Sequence, residues 1–176
     1  MTTETRERIL EAALDALRAG QTVSLDSAAR GARLTKPGLM HYFPTKQALM
    51  LGLVDLVSNR WEAQLTHHLG GGLDSATATE RIRAYVDYAV GGDFDETDMV
   101  MLSDPRLRPA LSARWAEQMQ RWFELPADLP EETRGRLTAV RLLADGVWFA
   151  TSTDVFAPTA TEREQVRAIA YALLEN

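Results

Sequence analysis

Cysteine is absent from this sequence of 176 residues. That absence excludes disulfide scaffolds, cysteine zinc sites and thiol nucleophiles. Histidine is scarce, with only His41, His67 and His68 present. His67 and His68 are adjacent, and adjacent residues on a helix diverge by about 100°. They read as surface residues, not as a metal pair. Lysine is limited to Lys36 and Lys46. No apolar run approaches the roughly 18 residues that suggest a membrane span. The polar opening from Thr2 to Arg8 does not read as a signal peptide. The expectation is a cytoplasmic chain without a membrane partner. There is also no Glu-x-x-His pair, no glycine-rich phosphate loop and no Gly-x-Ser-x-Gly elbow. Neither an enzyme nor a bound cofactor is therefore expected.

What is present begins with apolar content. At 45% hydrophobic residues the chain can build a real core. The net charge of −6 is unevenly placed. Residues 1–46 hold seven basic and five acidic groups, whereas the remainder holds 12 basic and 20 acidic ones. A basic end on an acidic body can approach phosphate while the body is repelled.

No alternation of period two persists, and helical spacing dominates. Ile9, Ala12, Ala13, Ala16 and Leu17 form one apolar face, with Gly20 as the stop. Ser24 and Thr35 are each placed to cap a short helix, and Pro37 is tolerated in a first turn. Thr45 caps a long helix carrying Leu49, Leu53, Val57, Trp61 and Leu65, expected to run to about His68. Gly70-Gly71-Gly72 breaks the chain. Thr77 and Glu80 make a capping box, Met99–Leu102 a short segment, and roughly 107–124 a further helix. The last two helices are expected over roughly 131–153 and 160–175, the second capped by Thr161 and Glu164. The reading is all-α, with about nine helices.

The stretch Ser24–Lys46 carries the function. Two short helices with a tight connection near Gly31–Leu34 read as a helix-turn-helix. Ala28, Ala29 and Ala32 allow close approach, and Leu25, Leu34, Leu39 and Phe43 supply buried contacts. The second helix then offers Thr35, Lys36, Gly38 and His41 outward, where its N-terminal residues would meet base edges in a major groove.

The run Leu34-Thr35-Lys36-Pro37-Gly38-Leu39-Met40-His41-Tyr42-Phe43-Pro44-Thr45-Lys46-Gln47-Ala48-Leu49 resembles the DNA-binding segment of the TetR repressor family. The similarity covers roughly residues 5–55. The Phe-Pro-Thr-Lys continuation gives it specificity that a generic helix-turn-helix lacks. Three departures stand out: Arg33 where the family often has Gly, Pro37 where members often carry a small residue, and the order His41-Tyr42.

The resemblance implies a helix-turn-helix domain at 1–46 and a helical ligand-sensing and dimerisation domain at 47–176. It also implies a homodimer that binds double-stranded operator DNA as a repressor and responds to a small-molecule inducer. DNA contacts then fall to Ser24, Thr35, Lys36, Pro37, Gly38, His41, Tyr42, Thr45 and Lys46. Lys46 and Thr45 suit phosphate at a helix start. Tyr42 is a phosphate contact or packs on the first helix; Lys36 and His41 are base-edge candidates.

In the second half, Trp61, Met99, Trp115, Met119, Trp122 and Trp148 are candidates for an apolar or aromatic ligand pocket, or for plain core. Asp145 lies among apolar neighbours as an anchor for a ligand, a solvent-facing acid or a partner for an arginine. Ala150, Val166, Ile169, Ala170 and Leu173 are candidates for a dimer interface. The alternative is a helical ligand-binding protein or small enzyme without a DNA role.

Overall fold

A computed structural model of the chain describes residues 3–175. Among the described residues there are eight α-helices, two short 3-10 segments and no strand. No helix among them is long and apolar enough to cross a membrane. The chain divides into two compact units: residues up to Asn59 with Glu96–Gln118, and Arg60–Asp95 with residues from Met119 onward.

The first unit begins with α1 (Thr3–Arg18), whose apolar positions bury Ile9, Leu10, Ala13 and Leu14. Ile9, Leu10 and Leu14 each contribute roughly 1.5–3 kcal/mol on burial. Gly20, with φ +65, ends the helix. The Gly20 N–H reaches the Leu17 carbonyl at 2.8 Å and the Gln21 N–H reaches Ala16 at 2.9 Å. These two bonds satisfy carbonyls that a helix end leaves open.

Helix α2 (Leu25–Gly31) and helix α3 (Lys36–Met40) follow, then α4 (Lys46–Leu69). Leu49, Met50, Leu53, Val54 and Val57 on α4 join the core of this unit. A 3-10 segment, Glu96–Leu102, adds Val100 and Met101 and is kinked at Met99. Helix α6 (Arg108–Phe123) adds Leu111.

The second unit holds the end of α4, α5 (Ala78–Gly91), the end of α6, α7 (Glu131–Thr153) and α8 (Ala160–Glu175). Helix α5 packs along α7, and α8 lies against both. Thr77 and Glu80 form the expected capping box, with Thr77 N–H on Glu80 Oε2 at 2.7 Å. The box at α8 differs from the expectation. Thr159 and Glu162 form it, not Thr161 and Glu164: Thr159 N–H reaches Glu162 Oε2 at 2.7 Å. Both pairs have the same spacing. The earlier pair starts the helix directly after Pro158, which lets two further residues join it.

The core of this unit is aromatic. Trp61 meets the ring edges of Tyr88 at 5.2 Å and Trp148 at 5.0 Å, with Phe94 at 5.7 Å and Tyr85 at 6.0 Å. These separations are those at which aromatic pairs attract beyond their area of burial.

Candidate functional site

The helix-turn-helix is assembled from local rules. Ser24 caps α2 reciprocally with Ser27: the Ser27 N–H donates to Ser24 Oγ at 3.0 Å, and the Ser24 N–H to Ser27 Oγ at 2.9 Å. The turn after α2 is closed by Arg33 N–H on Arg30 and Leu34 N–H on the Ala29 carbonyl at 2.8 Å. This pattern needs a left-handed residue, and Arg33 takes it with φ +56. Gly31 packs so near α1 that a Cβ there would lie 3.0 Å from the Ala12 Cβ.

Thr35 caps α3, accepting the Gly38 N–H on Oγ1 at 3.2 Å, with Pro37 in the first turn. Leu39 and Phe43 anchor α3 in the core. Thr35, Lys36, Pro37 and His41 are exposed, and Gly38 and Tyr42 are half-buried. Lys36 Nζ lies 2.9 Å from Asp26 Oδ2 in an exposed pair. Thr45 caps α4, accepting the Ala48 N–H at 3.0 Å. The nine DNA-binding candidates therefore occupy the caps of α2, α3 and α4, helix α3, the two residues that follow it and the start of α4. All lie within the first unit.

Lys46 is held where sequence reasoning gave no warning. Its Nζ lies 2.6 Å from Asp104 Oδ2. The Lys46 ammonium, together with the Arg106 N–H on the other carboxylate oxygen, keeps the Asp104 carboxyl below the usual carboxylate range. A cleft of about 680 Å³ opens beside the pair, bordered by Thr22, Gln47, Ser103 and Arg106 among others. A second such pair joins α4 to α6: Arg114 Nε donates to Asp55 Oδ1 at 2.6 Å. Both pairs link residues more than fifty positions apart, so no local signal marks them.

Of the ligand candidates, Met99 and Trp115 belong to the first unit and the other five to the second. Trp61, Met119 and Trp122 are enclosed core residues. Trp148 and Asp145 are half-buried. Asp145 is engaged on both oxygens, by the Tyr85 hydroxyl at 2.7 Å and Arg141 at 2.5 Å. Burial first, and the Asp145 carboxylate second, push the Tyr85 hydroxyl well above its ordinary range.

A cavity of about 270 Å³ in this unit is lined by Ile82, Phe123, Leu125, Leu137, Arg134 and Arg141, with Thr138 beside them. None of the seven candidates lines it. Sequence reasoning missed this set because its apolar members look like any other helix face. Among the described residues, no group of three or more acids and histidines is placed to hold a metal ion.

Among the dimer candidates, Ile169 is 56% exposed, whereas Ala170 is fully enclosed within its own chain. Ala150, Val166 and Leu173 are half-buried. Leu142 and Phe149, at 55% and 49% exposure, are apolar side chains on α7 that the sequence reading did not assign to this surface.

Residues 79–175, more than half of the chain, match the sequence family described as "Tetracyclin repressor-like, C-terminal domain". The fold aligns with that of Salmonella enterica GusR at a TM-score of 0.65 and 16% identity, over 100% of this chain and 99% of that one. It aligns with a TetR-family transcriptional regulator from Rhodococcus sp. at 0.64 and 14% identity, over 98% of each chain. A member of the TetR family from Streptomyces coelicolor A3 aligns at 0.61 and 21% identity, over 97% of this chain and 98% of that one. No curated protein matches this sequence at a significant level.

Proposed function

The chain belongs to the TetR family of transcriptional regulators, and from that premise we propose that it represses transcription by gripping near-palindromic operator DNA as a homodimer and that a small ligand releases it. The observation that carries the DNA reading is the capped, exposed start of α3. Lys36 and Pro37 are solvent-facing there and His41 is exposed at the other end of the helix, while Leu39 and Phe43 fix it from behind. Base-edge contact then falls to Lys36 and His41, with Gly38 allowing close approach. The caps at Ser24, Thr35 and Thr45 and the hydroxyl of Tyr42 serve the phosphate backbone, which positions without specifying.

Dimerisation follows from α7 and α8. Leu142, Phe149 and Ile169 leave large apolar surface in water, and contiguous exposed apolar patches mark interaction sites. An isologous pairing of these faces would set two recognition helices about 34–36 Å apart, one turn of DNA.

The effector is a small, largely apolar molecule seated against Ile82, Phe123, Leu125 and Leu137, with Thr138 and Arg141 as polar anchors. Asp145 takes part through its ion pair with Arg141. Release requires the ligand to favour the non-binding state, by several kcal/mol for near-complete inversion.

Footprinting on DNA upstream of the chain's own gene tests this reading. Two protected half-sites about one helical turn apart are expected, weakened in Lys46→Ala and Tyr42→Phe proteins that keep the wild-type melting temperature. Protection that is unaffected by both substitutions, or absent throughout, contradicts it.

A further inference from the structure

The Lys46–Asp104 pair joins the start of α4 to the turn that follows the 3-10 segment Glu96–Leu102. Its two members are not equivalent. The Asp104 side chain is 14% exposed and the Lys46 side chain 38%. Asp104 is also fixed twice by its own turn. Its Oδ1 accepts the Arg106 N–H at 2.9 Å, and its carbonyl accepts the Leu107 N–H at 3.1 Å. Lys46 has no such constraint. Four methylenes carry its charge, and the cleft beside it leaves room for the ammonium to swing away without disturbing a buried group. The acid is the fixed member and the lysine the movable one.

Lys46 is one of only two lysines in the chain. On the DNA-binding reading above, on which this inference rests, its ammonium faces phosphate in the complex. An ammonium already paired with Asp104 at 2.6 Å offers less of its charge to phosphate, and the two anions repel each other across it. We infer that Asp104 is an internal competitor of the DNA phosphate for Lys46, a brake on operator affinity carried by the segment that runs from Glu96 to Leu107. The 3-10 part of that segment also packs on α1, so the brake sits on an element in contact with the helix-turn-helix scaffold itself. When Lys46 leaves, Asp104 is not stranded. It keeps the Arg106 N–H, and the Arg106 side chain borders the same cleft.

Partly exposed ion pairs contribute modestly, so releasing Lys46 should tighten DNA binding about two- to fivefold. Asp104→Asn tests this, because asparagine keeps an oxygen for the Arg106 N–H and removes the charge. Affinity for the footprinted fragment would be measured by fluorescence anisotropy for wild type, Asp104→Asn, Lys46→Gln and the double variant. The inference expects tighter binding by Asp104→Asn and no effect of that substitution in the Lys46→Gln background. An equal gain in both backgrounds means that Asp104 acts only by repelling DNA and overturns the inference. So does an Asp104→Asn affinity equal to or weaker than wild type. Asp104→Ser, which also retains an acceptor, substitutes if melting shows that Asp104→Asn is poorly folded. Wild-type protein that binds no DNA at any salt concentration overturns the DNA reading and the inference with it. Wild-type binding with an additive cycle overturns the inference alone.

Discussion

A Cβ placed on Gly52 would lie 2.8 Å from Cε1 of Phe43 and 3.1 Å from Cδ2 of Leu10. The absence of a side chain on this face of α4 is what lets the Phe43 ring come so close. Phe43 follows shortly after α3, so this contact sets how α3 meets α4. Gly52→Ala should destabilise the protein by about 1–2 kcal/mol, overpacking outweighing the gain in helix propensity. Gly135 on α7 has nothing within 4 Å of its Cβ position. Gly135→Ala should therefore stabilise by up to about 1 kcal/mol. Urea unfolding of the two variants should give shifts of opposite sign.

Arg33 holds a left-handed backbone at φ +56 in the turn between α2 and α3. A residue with a Cβ pays roughly 1–2 kcal/mol there, part of which glycine gives back through its freer unfolded chain. Arg33→Gly should raise stability by about 0.5–1 kcal/mol in urea unfolding. A loss of stability would show that the Arg33 side chain makes a compensating contact.

Tyr85 should make the protein sensitive to alkali. Its hydroxyl is raised well above the ordinary value of 10.0, so the folded chain keeps a proton that the unfolded chain gives up. That contribution is whole below pH 10 and is lost as the pH rises beyond it. Tyr171, raised to about 12 by burial and by Asp87, adds to the same decline. Unfolding midpoints between pH 8 and pH 11 should fall less steeply for Tyr85→Phe than for wild type, and identical slopes would rule the attribution out.

These features differ in how far the sequence announced them. Stops and caps were legible because they are local. Gly20, Ser24, Thr35, Thr45 and the Thr77–Glu80 box each act within a few residues of themselves. The α8 box was misplaced because Thr159–Glu162 and Thr161–Glu164 offer the same spacing, and the choice depends on the break at Pro158. The Lys46–Asp104 and Arg114–Asp55 pairs were illegible, since only the fold brings such distant positions together. The aromatic residues were ambiguous for another reason. Trp61 and Trp122 have the spacing of a pocket wall and of a core alike, and only packing separates the two.

The exposed faces of α7 and α8 give a prediction about assembly. Phe149→Glu or Ile169→Glu would place a charge in an apolar interface of the dimer. Sedimentation should show a dimer for wild type and monomers for both variants, with operator affinity falling at least tenfold. Variants that remain dimeric would move the interface elsewhere.

Everything proposed for this chain depends on the exposed start of α3 and the start of α4 binding operator DNA. The most direct measurement is fluorescence anisotropy of a labelled fragment from upstream of the chain's own gene, titrated at several salt concentrations. Saturable binding is expected, with an affinity that falls linearly in log–log form with salt, a shallower slope for Lys46→Ala, and lost discrimination between fragments for His41→Ala. No binding at low salt by a folded, dimeric protein, or binding indifferent to salt and to both substitutions, would contradict it.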